Sequence, residues 1–315
     1  MKNNSQVSVV GSIAYDDLVT SEGSKNNLLG GSAIYFSIAA SNMSKVSIIG
    51  SVGDDFRQKD LKLLESKKIN IKNINHSEGT TFRWKGSYLN NSEEPETLIT
   101  SLGVFKDFSP CLNEDIKKSQ YVFLANISPL LQKKISNSLV NPKRIVGLDT
   151  MNHWILDMKK DLEFVMKDIN ILFINKIEAF LFAKSKSIED SANYIIEKGP
   201  KICIIKDGKN GSYLYVKNNE TFFCPSYKIN KLIDPTGAGD SFAGGFFGYI
   251  SNIDEPTIED FKEAMIYGTA IASITIEGFG INNLYNINKN DICKRVKEIK
   301  NQLIMEKKWN MILKI

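Results

Sequence analysis

Asp240 closes a short glycine-rich segment whose residues could hold an anion and remove a proton beside it. The segment runs Asp234-Pro-Thr-Gly-Ala-Gly-Asp240 and leads into an apolar run that predicts a buried helix. The N–H groups of Gly237, Ala238 and Gly239 would point at one anion, with the positive end of the helix dipole behind them. Because an anion repels a carboxylate, Asp240 is best explained as a base that takes a proton from a hydroxyl attacking a bound phosphoryl group.

Two other phosphate-binding motifs do not fit this segment. A dinucleotide-binding fingerprint requires glycine at position 242, where the chain has Phe242. A P-loop that starts at Gly239 requires lysine and then serine or threonine after Gly244, where the chain has Gly245-Phe246. A tight turn before a core helix is the structural alternative.

The same segment resembles the C-terminal signature of the PfkB, or ribokinase-like, family of carbohydrate and nucleoside kinases. The signature is Asp-Thr/Pro-Thr-Gly-Ala-Gly-Asp followed by an apolar helix that contains glycine, and the chain matches it at nearly every position. The resemblance implies one ribokinase-like domain over residues 1–315, with ATP and Mg²⁺ as cofactors. It also implies that Asp240 is the general base and that the N–H groups from Gly237 to Asp240 stabilise the transferring phosphoryl group.

Two elements near the N-terminus resemble the substrate-binding motifs of that family. Gly11-Ser-x-x-x-Asp16 follows the first predicted strand, and Gly30-Gly31 opens the next helix. The Asp16 carboxylate would accept hydrogen bonds from sugar hydroxyls, and the two glycines would let the backbone approach the substrate closely. An aspartate after a strand is also common in turns and caps.

Tyr35 lies where ribokinase proper carries an asparagine that binds ribose, four residues after Gly31. A phenol is bulkier than an amide and offers a different set of donors and acceptors. The substitution argues against ribose as the substrate. A hexose, an inositol-like polyol and a nucleoside all stay open.

Asn175 and Glu178 are spaced i, i+3 where a buried strand runs into a helix. They resemble the family's Asn-x-x-Glu motif, which organises Mg²⁺ and water near the phosphates, with Glu178 acting on Mg²⁺ indirectly. Magnesium prefers oxygen ligands and keeps several waters, so few protein groups are needed. The same spacing also fits an N-cap asparagine with a first-turn glutamate.

Two further segments follow predicted strands. Lys206-Asp-Gly208-Lys-Asn-Gly211 resembles the family's nucleotide-binding turn, although a simple hairpin turn would have similar residues. Asp149-Thr-Met-Asn152 resembles a segment that lies near the substrate or the phosphates, and we expect Asn152 to contact the substrate.

Asp234 and Thr236 match positions that in some family members supply oxygens to a monovalent cation such as K⁺. The rest of such a cation site would come from around Gly278–Gly280, where the match is loose. This prediction rests on the resemblance alone.

Short apolar runs alternate with helical patterns over most of the chain, which predicts an α/β fold with a mostly parallel central sheet and helices on both faces. The predicted buried strands are Val7–Ile13, Val46–Ile49, Tyr121–Leu124, Ile145–Asp149, Ile171–Ile174 and Ile202–Ile205. The predicted helices between them are Ser32–Ser41, Gln58–Ser66, Pro129–Leu139, Leu156–Met166, Lys176–Phe182 and Ile188–Lys198. A hairpin over Ser212–Val216 and Thr221–Cys224 and a long helix from about Thr257 are expected to follow.

Two stretches break this alternation. Residues 80–89 and 96–105 alternate without an intervening helix and predict antiparallel strands. In ribokinase-like proteins, strands at this point form a lid over the sugar, so the resemblance implies a small β lid at about residues 15–30 and 77–106. A lid would keep water from competing with the acceptor. An exposed lid strand could also pair with a second copy in a homodimer.

The composition points away from nucleic-acid and membrane partners. The net charge of +4 is spread along the chain rather than clustered, so it does not indicate nucleic-acid binding. No apolar run approaches the ~20 residues that span a bilayer, and the N-terminal residues lack a signal-peptide pattern. Four cysteines far apart in the sequence indicate reduced thiols, so we expect a cytoplasmic protein. The remaining alternative to a kinase is a non-catalytic protein that senses a sugar or a nucleotide.

Overall fold

A computed structural model describes residues 6–89, 95–217 and 220–312, with side chains described for residues 7–89, 95–217 and 220–305. Residues 1–5, in which the sequence predicts no signal peptide, lie outside the described residues. So do residues 90–94 of the predicted lid, residues 218–219 of the predicted hairpin, and residues 313–315 of the predicted single domain.

The described strands form two sheets. In chain order the strands are β1 (Gln6–Val10), β2 (Ala14–Thr20), β3 (Gly23–Gly30), β4 (Lys45–Val52), β5 (Asn70–His76), β6 (Phe82–Ser87), β7 (Glu96–Ser101), β8 (Tyr121–Leu124), β9 (Ile145–Asp149), β10 (Ile171–Asn175), β11 (Ile202–Lys206), β12 (Ser212–Val216) and β13 (Thr221–Cys224). The larger sheet has the order β13-β12-β11-β10-β9-β8-β1-β4-β5, and the smaller has the order β3-β2-β6-β7. All neighbours in the larger sheet are parallel except β11–β12 and β12–β13, which are antiparallel.

The described helices are α1 (Ser32–Ser41), α2 (Gln58–Ser66), α3 (Glu114–Lys117), α4 (Pro129–Ser138), α5 (Asn152–Asp157), α6 (Lys159–Met166), α7 (Lys176–Ala183), α8 (Ile188–Glu197), α9 (Ala238–Ile250), α10 (Ile258–Thr275), α11 (Asn282–Asn286) and α12 (Lys289–Ile312). Residues 103–107 and 208–210 form short 3₁₀ turns. One face of the larger sheet packs against α1, α9, α10 and α12, and the other packs against α4, α6, α7 and α8. This is the predicted three-layer α/β/α fold, in which strands covered on both faces are apolar throughout.

Phenyl rings fix α9 on the sheet. Phe246 and Phe247 are fully buried and pack against Phe173 of β10, with ring centroids 5.3 and 6.0 Å apart. Phe247 also contacts Phe123 of β8, which stacks on Phe36 of α1 at 4.6 Å. Burial of each such side chain contributes about 1.5–3 kcal/mol. These contacts hold the N-terminus of α9 over the carboxyl ends of the central strands.

The smaller sheet is built by the two chain segments predicted to form the lid. Strand β2 pairs with β3 in an antiparallel ladder and with β6 in a parallel one, and β6 pairs with β7 in an antiparallel ladder. Strands β6 and β7 therefore have the predicted antiparallel arrangement. We refer to β3-β2-β6-β7 as the four-stranded sheet.

The structure corrects several predicted boundaries. The first strand ends at Val10 rather than Ile13, and Ala14 already belongs to the four-stranded sheet. The helix predicted over Leu156–Met166 is two helices that meet at Met158, whose φ of −132° and ψ of 34° are not helical. The predicted strand to Phe105 ends at Ser101, because Gly103 adopts a positive φ of 50° and starts a 3₁₀ turn. Strand β5, of sequence Asn-Ile-Lys-Asn-Ile-Asn-His, was not predicted because an edge strand can be polar.

Candidate active site

The glycine-rich segment forms the N-terminus of α9, as its sequence predicts. Gly237 is the N-cap residue and has a left-handed conformation with φ 71° and ψ 7°, which favours glycine. The helix begins at Ala238, so Gly239 and Asp240 lie in its first turn, where backbone N–H groups have no acceptor within the helix. This places the N–H groups of Gly239 and Asp240 at the positive end of the helix dipole, whereas the N–H of Ala238 donates to the carbonyl of Pro235 at 3.2 Å.

Asp240 is partly buried in the first turn of α9. Burial raises the pKa of its carboxyl group to about 7, and the nearby negative charge of Asp149 adds to the shift, while the positive charge of Lys206 opposes it. A carboxylate with a pKa near 7 is matched to accept a proton at neutral pH.

Lys206 brings a positive charge to the same place. Its side chain extends from the end of β11 across β10 to Asp149 at the end of β9, with Nζ 3.3 and 3.4 Å from the two carboxylate oxygens. A Cβ added at Gly239 would lie 2.9 Å from this Nζ, so the ammonium group adjoins the first turn of α9. Burial lowers the pKa of Lys206, but the charges of Asp149, Glu178 and Asp240 outweigh it and leave that pKa raised.

Asp16 lies against the two glycines that the sequence analysis grouped with it. A side chain at Gly30 would overlap the Asp16 carboxyl group, and the N–H of Gly31 donates a hydrogen bond to it. Asp16 is 3% exposed. Burial, with the negative charges of Asp234 and Asp240, raises its pKa to about 8. The carboxyl groups of Asp16 and Asp240 are therefore close enough to influence each other.

Tyr35 lies behind the loop rather than at its surface. Its side chain is 1% exposed, and a Cβ at Gly237 would overlap its ring. Its hydroxyl group is buried with no hydrogen-bond partner among the described residues. The ring therefore supports the loop from below, and a contact between Tyr35 and the substrate stays a prediction.

Asn175 and Glu178 form a capping box at the start of α7. Asn175 Oδ1 accepts from the N–H of Glu178 at 2.8 Å, and Glu178 Oε2 accepts from the N–H of Asn175 at 2.9 Å. Asn175 is directly opposite Lys206 in the β10–β11 ladder. The N-cap asparagine and first-turn glutamate that the spacing also fitted are therefore present. This capping box holds the Glu178 carboxylate within electrostatic reach of Lys206.

The predicted nucleotide-binding turn follows β11 directly. Residues 208–210 form a 3₁₀ turn, and both Gly208 and Gly211 have positive φ angles. The N–H of Asp207 donates to the carbonyl of Gly211 at 2.8 Å, which closes the turn. Asp207 also pairs with Lys176 at 3.0 Å, which ties the turn to α7.

Asp234 anchors the loop before α9. Its carboxylate accepts from the N–H of Thr236 at 2.9 Å and from the N–H of Gly280 at 2.8 Å. The structure thus brings together the two segments predicted to bind a monovalent cation. Thr236 Oγ1 also donates to the hydroxyl of Tyr88 at 3.2 Å, which links the loop to the residue that follows β6.

None of the contacts described above involves Asn152, which was predicted to contact the substrate. It begins α5, its side chain is exposed, and its Oδ1 accepts from the N–H of His153 at 2.8 Å. His153 is exposed and pairs with Asp157 at 2.7 Å. A contact between Asn152 and the substrate stays a prediction.

Fold and site together define an α/β protein whose helix N-terminus, lysine and carboxylates suit phosphoryl transfer. The pfkB family carbohydrate kinase model matches residues 3–287, and the chain belongs to this family of kinases. A cytidine kinase of Thermococcus kodakarensis is 25% identical over 245 residues, which cover 76% of this chain and 87% of that protein.

Solved structures show the same fold. The nucleoside kinase of Methanocaldococcus jannaschii has a TM-score of 0.76 at 21% identity and covers 94% of this chain and 99% of its own. A putative ribokinase II from E. coli has a TM-score of 0.79 at 20% identity, and the match covers 94% of this chain and 100% of the E. coli chain. The E. coli protein has also been solved in complex with ATP and Mg²⁺. The predicted family and ribokinase-like fold are thereby confirmed.

Two relationships in this site were not predicted from the sequence. Lys206 was expected in the nucleotide turn, and the position of its ammonium group beside Gly239 depends on how far the side chain reaches across β10. The contact between Tyr88 and Thr236 was not predicted either. The one available signal was the alternation of side chains along β6. It places Phe82 and Trp84 on the same face, and Tyr88 would share that face if the alternation continued past the end of the strand.

Proposed function

We propose that the chain transfers the γ-phosphoryl group of ATP to a hydroxyl group of a small sugar or polyol, with a nucleoside as the second candidate. The observation that carries this proposal is the position of Asp240, whose pKa is raised to about 7, in the first turn of α9 beside Lys206. Asp240 takes the hydroxyl proton, and the acceptor oxygen forms a bond to the γ-phosphorus. The bond from that phosphorus to the β–γ bridging oxygen breaks, and ADP leaves.

The acceptor would be held by Asp16 and the backbone of Gly30 and Gly31. Asp16 is buried next to these glycines and electrostatically coupled to Asp240. A carboxyl group with a pKa of about 8 can donate one hydrogen bond and accept another, so it can bind two neighbouring hydroxyl groups. It would orient the acceptor so that a third oxygen faces Asp240.

The phosphates of ATP would lie between α9 and the ends of β9–β11. The N–H groups of Gly237–Asp240 and the ammonium of Lys206 supply positive charge there. The turn from Gly208 to Gly211 would contact the rest of the nucleotide. The Glu178 carboxylate, held by its capping box near Lys206, fits an indirect role beside Mg²⁺, which when bound neutralises phosphate charge.

The four-stranded sheet would act as the lid. The hydrogen bond between Thr236 and Tyr88 supports this proposal, because it joins the sheet to the loop that precedes α9. A lid closed by this contact would exclude water from the transferring phosphoryl group.

One observation favours the nucleoside as acceptor. The cytidine kinase matches over 76% of this chain, whereas the match to a ribokinase of Staphylococcus aureus covers 36%. The non-catalytic alternative is disfavoured because the chain retains Asp240 and the Gly-Ala-Gly sequence before it.

A homodimer through the four-stranded sheet is part of the proposal. Strand β7 is the edge of that sheet and is exposed along its whole length, including the apolar side chains of Leu98 and Ile99. An exposed apolar edge strand is a template for pairing with another chain. The mass of the protein in solution tests this part, and a monomer at micromolar concentration would refute it.

Two other predictions remain proposals. Activation by K⁺ rests on Asp234 and Thr236, and a rate that is the same in K⁺ and Na⁺ buffers would refute it. A cytoplasmic location rests on the cysteine usage alone. No helix in the described part of the chain is long and apolar enough to cross a membrane.

The test of the proposed function is acceptor-dependent consumption of ATP. The purified protein is screened with fructose, ribose, other ketoses, inositols and nucleosides, and the phosphorylated product is detected by mass. We expect at least one acceptor to give ADP and product in equal amounts, and the Asp240→Asn variant to give neither at a comparable rate. ATP turnover that no acceptor stimulates would contradict the proposal.

A further inference from the structure

The four-stranded sheet places an aromatic side chain next to the carboxylate proposed to hold the acceptor. Asp16 of β2 is directly opposite Trp84 of β6 in their parallel ladder. Laterally paired residues point to the same face of a sheet, and successive residues alternate between faces. Trp84 therefore shares a face with Asp16. Tyr15 and Arg83 share the other face, where the Arg83 guanidinium lies 5.4 Å from the centre of the Tyr15 ring.

The face that carries Asp16 and Trp84 is turned toward the proposed active site. Asp16 contacts Gly30 and Gly31 on this side, and Tyr88, which has the same parity as Trp84, reaches Thr236 before α9. Neighbouring strands are about 4.8 Å apart. That spacing suits a ligand whose hydroxyl-bearing ring sits on Asp16 and whose second ring lies beside it.

The Trp84 indole is held in one orientation. A Cβ at Gly86, two residues further along β6, would overlap three atoms of its six-membered ring, so the ring lies over the Gly86 backbone. Its Nε1–H donates to Thr97 Oγ1 of β7 at 3.2 Å. The side chain stays partly exposed. The indole is thus a fixed aromatic plane that is still open to a ligand.

We propose that Trp84 stacks on the base of a nucleoside acceptor whose ribose hydroxyls are held by Asp16. This inference rests on the proposed kinase function and selects the nucleoside, its second candidate, as the acceptor. On the face that carries Asp16, β6 presents the aromatic side chains of Phe82 and Trp84, and Tyr88 follows the strand and reaches Thr236. A free sugar or polyol has hydroxyl groups on every side and requires polar partners around it. A planar base requires an aromatic plane and few polar groups.

The test measures binding of cytidine, inosine and D-ribose to the full-length protein by calorimetry, without ATP, so that no turnover is needed. We expect a nucleoside to bind at least tenfold more tightly than ribose. Trp84→Leu should weaken nucleoside binding about 5- to 150-fold, the range that corresponds to ~1–3 kcal/mol of base stacking, and Trp84→Phe should weaken it less. Lys85→Ala, on the opposite face of the same strand, is the matched control and should change binding less than twofold.

A second readout reports on stacking itself. A bound base should quench the indole fluorescence of the wild-type protein, and Trp84→Phe should lose most of that quenching. Thermal unfolding of Trp84→Leu checks that the variant is folded. Unchanged nucleoside binding by folded Trp84→Leu, or ribose binding as tight as nucleoside binding, would overturn the inference.

The two proposals can fail separately. Phosphoryl transfer to a free sugar, with no nucleoside binding, would refute the role of Trp84 and leave the kinase proposal intact. Trp84-dependent nucleoside binding without transfer to any acceptor would refute the kinase proposal and leave the stacking site intact.

Discussion

The ammonium group of Lys206 lies 3.3 Å from Asp149 Oδ1 and borders Gly239 at the start of α9. One lysine thus neutralises a buried carboxylate and adds positive charge where phosphate is proposed to bind. Asp149 is 6% exposed, and burial raises the pKa of its carboxyl group while Lys206 opposes that shift. The pair therefore has a structural role and a proposed catalytic role, which two variants can separate.

Lys206→Met should lower both stability and activity. Removing one partner of a buried ion pair leaves the other charge uncompensated and costs ~3–5 kcal/mol of unfolding free energy. The double variant Lys206→Met/Asp149→Asn should recover most of that loss, because no buried charge is left alone, yet it should stay impaired in catalysis. Denaturant unfolding measures the loss of stability, and kcat/KM for ATP measures the loss of activity. Recovery of both by the double variant would show that Lys206 acts on stability alone.

Tyr35→Phe should stabilise the protein or leave its stability unchanged. The Tyr35 hydroxyl is buried without a partner among the described residues, and a buried unsatisfied polar group costs ~1–3 kcal/mol. The ring that supports Gly237 is retained in phenylalanine, so we expect the KM for the acceptor to change less than twofold. Thermal unfolding and steady-state kinetics give the two values. A large rise in that KM would instead assign the hydroxyl to the substrate, as the sequence position suggested.

Much of this architecture can be predicted from the sequence, because apolar runs bounded by polar residues mark the elements. Strands β8 and β9, helices α1 and α2, and the hairpin β12–β13 have their predicted bounds. The predicted site residues at the ends of β10 and β11 adjoin one another because the carboxyl ends of parallel strands share an edge. This shared edge predicts which strand ends are neighbours, but it does not predict the directions in which their side chains point.

The rest depended on contacts that no local pattern encodes. Burial of Tyr35 follows from the close approach of α1 to Gly237, and the orientation of Trp84 follows from the lack of a side chain at Gly86. The break at Met158 falls inside a continuous helical pattern, where only the packing of α5 and α6 separates the two helices. Each of these features is set by tertiary structure.

Asp16→Asn should change how stability depends on pH. The pKa of Asp16 is raised to about 8 in the folded protein, against about 3.9 in an unfolded chain. Between these values Asp16 binds a proton in the folded state but not in the unfolded state, so the contribution of Asp16 to wild-type stability falls as pH rises from 4 to 8. The variant lacks this titrating group. Its free energy of unfolding should therefore rise by at least about 1 kcal/mol relative to that of the wild type when the pH is raised from 5 to 8. Denaturant unfolding of both proteins at pH 5 and pH 8 measures this change. If the variant and the wild type differ in free energy of unfolding by the same amount at both pH values, the pKa of Asp16 is not raised.

Glu178→Gln should separate the capping box from the proposed role beside Mg²⁺. Glutamine can still accept a hydrogen bond from the N–H of Asn175, so the melting temperature should change by less than about 2 °C. The loss of charge should raise the Mg²⁺ concentration needed for half-maximal rate several-fold. Glu178→Ala serves as the comparison, because it loses both roles. A Mg²⁺ requirement unchanged in the glutamine variant would leave Glu178 with a capping role only.

The rate of phosphoryl transfer by Asp240→Asn, with ATP and the acceptor identified by the screen, tests the central claim most directly. The amide keeps the shape of the side chain but cannot take the hydroxyl proton, and losing a general base costs ~10²–10⁴ in rate. We predict a loss of that size in kcat, an unchanged or higher melting temperature, and ATP binding at least as tight as in wild type, because a like charge beside the phosphates is gone. A fall in kcat of less than tenfold in the folded variant would contradict the assignment of Asp240 as the base.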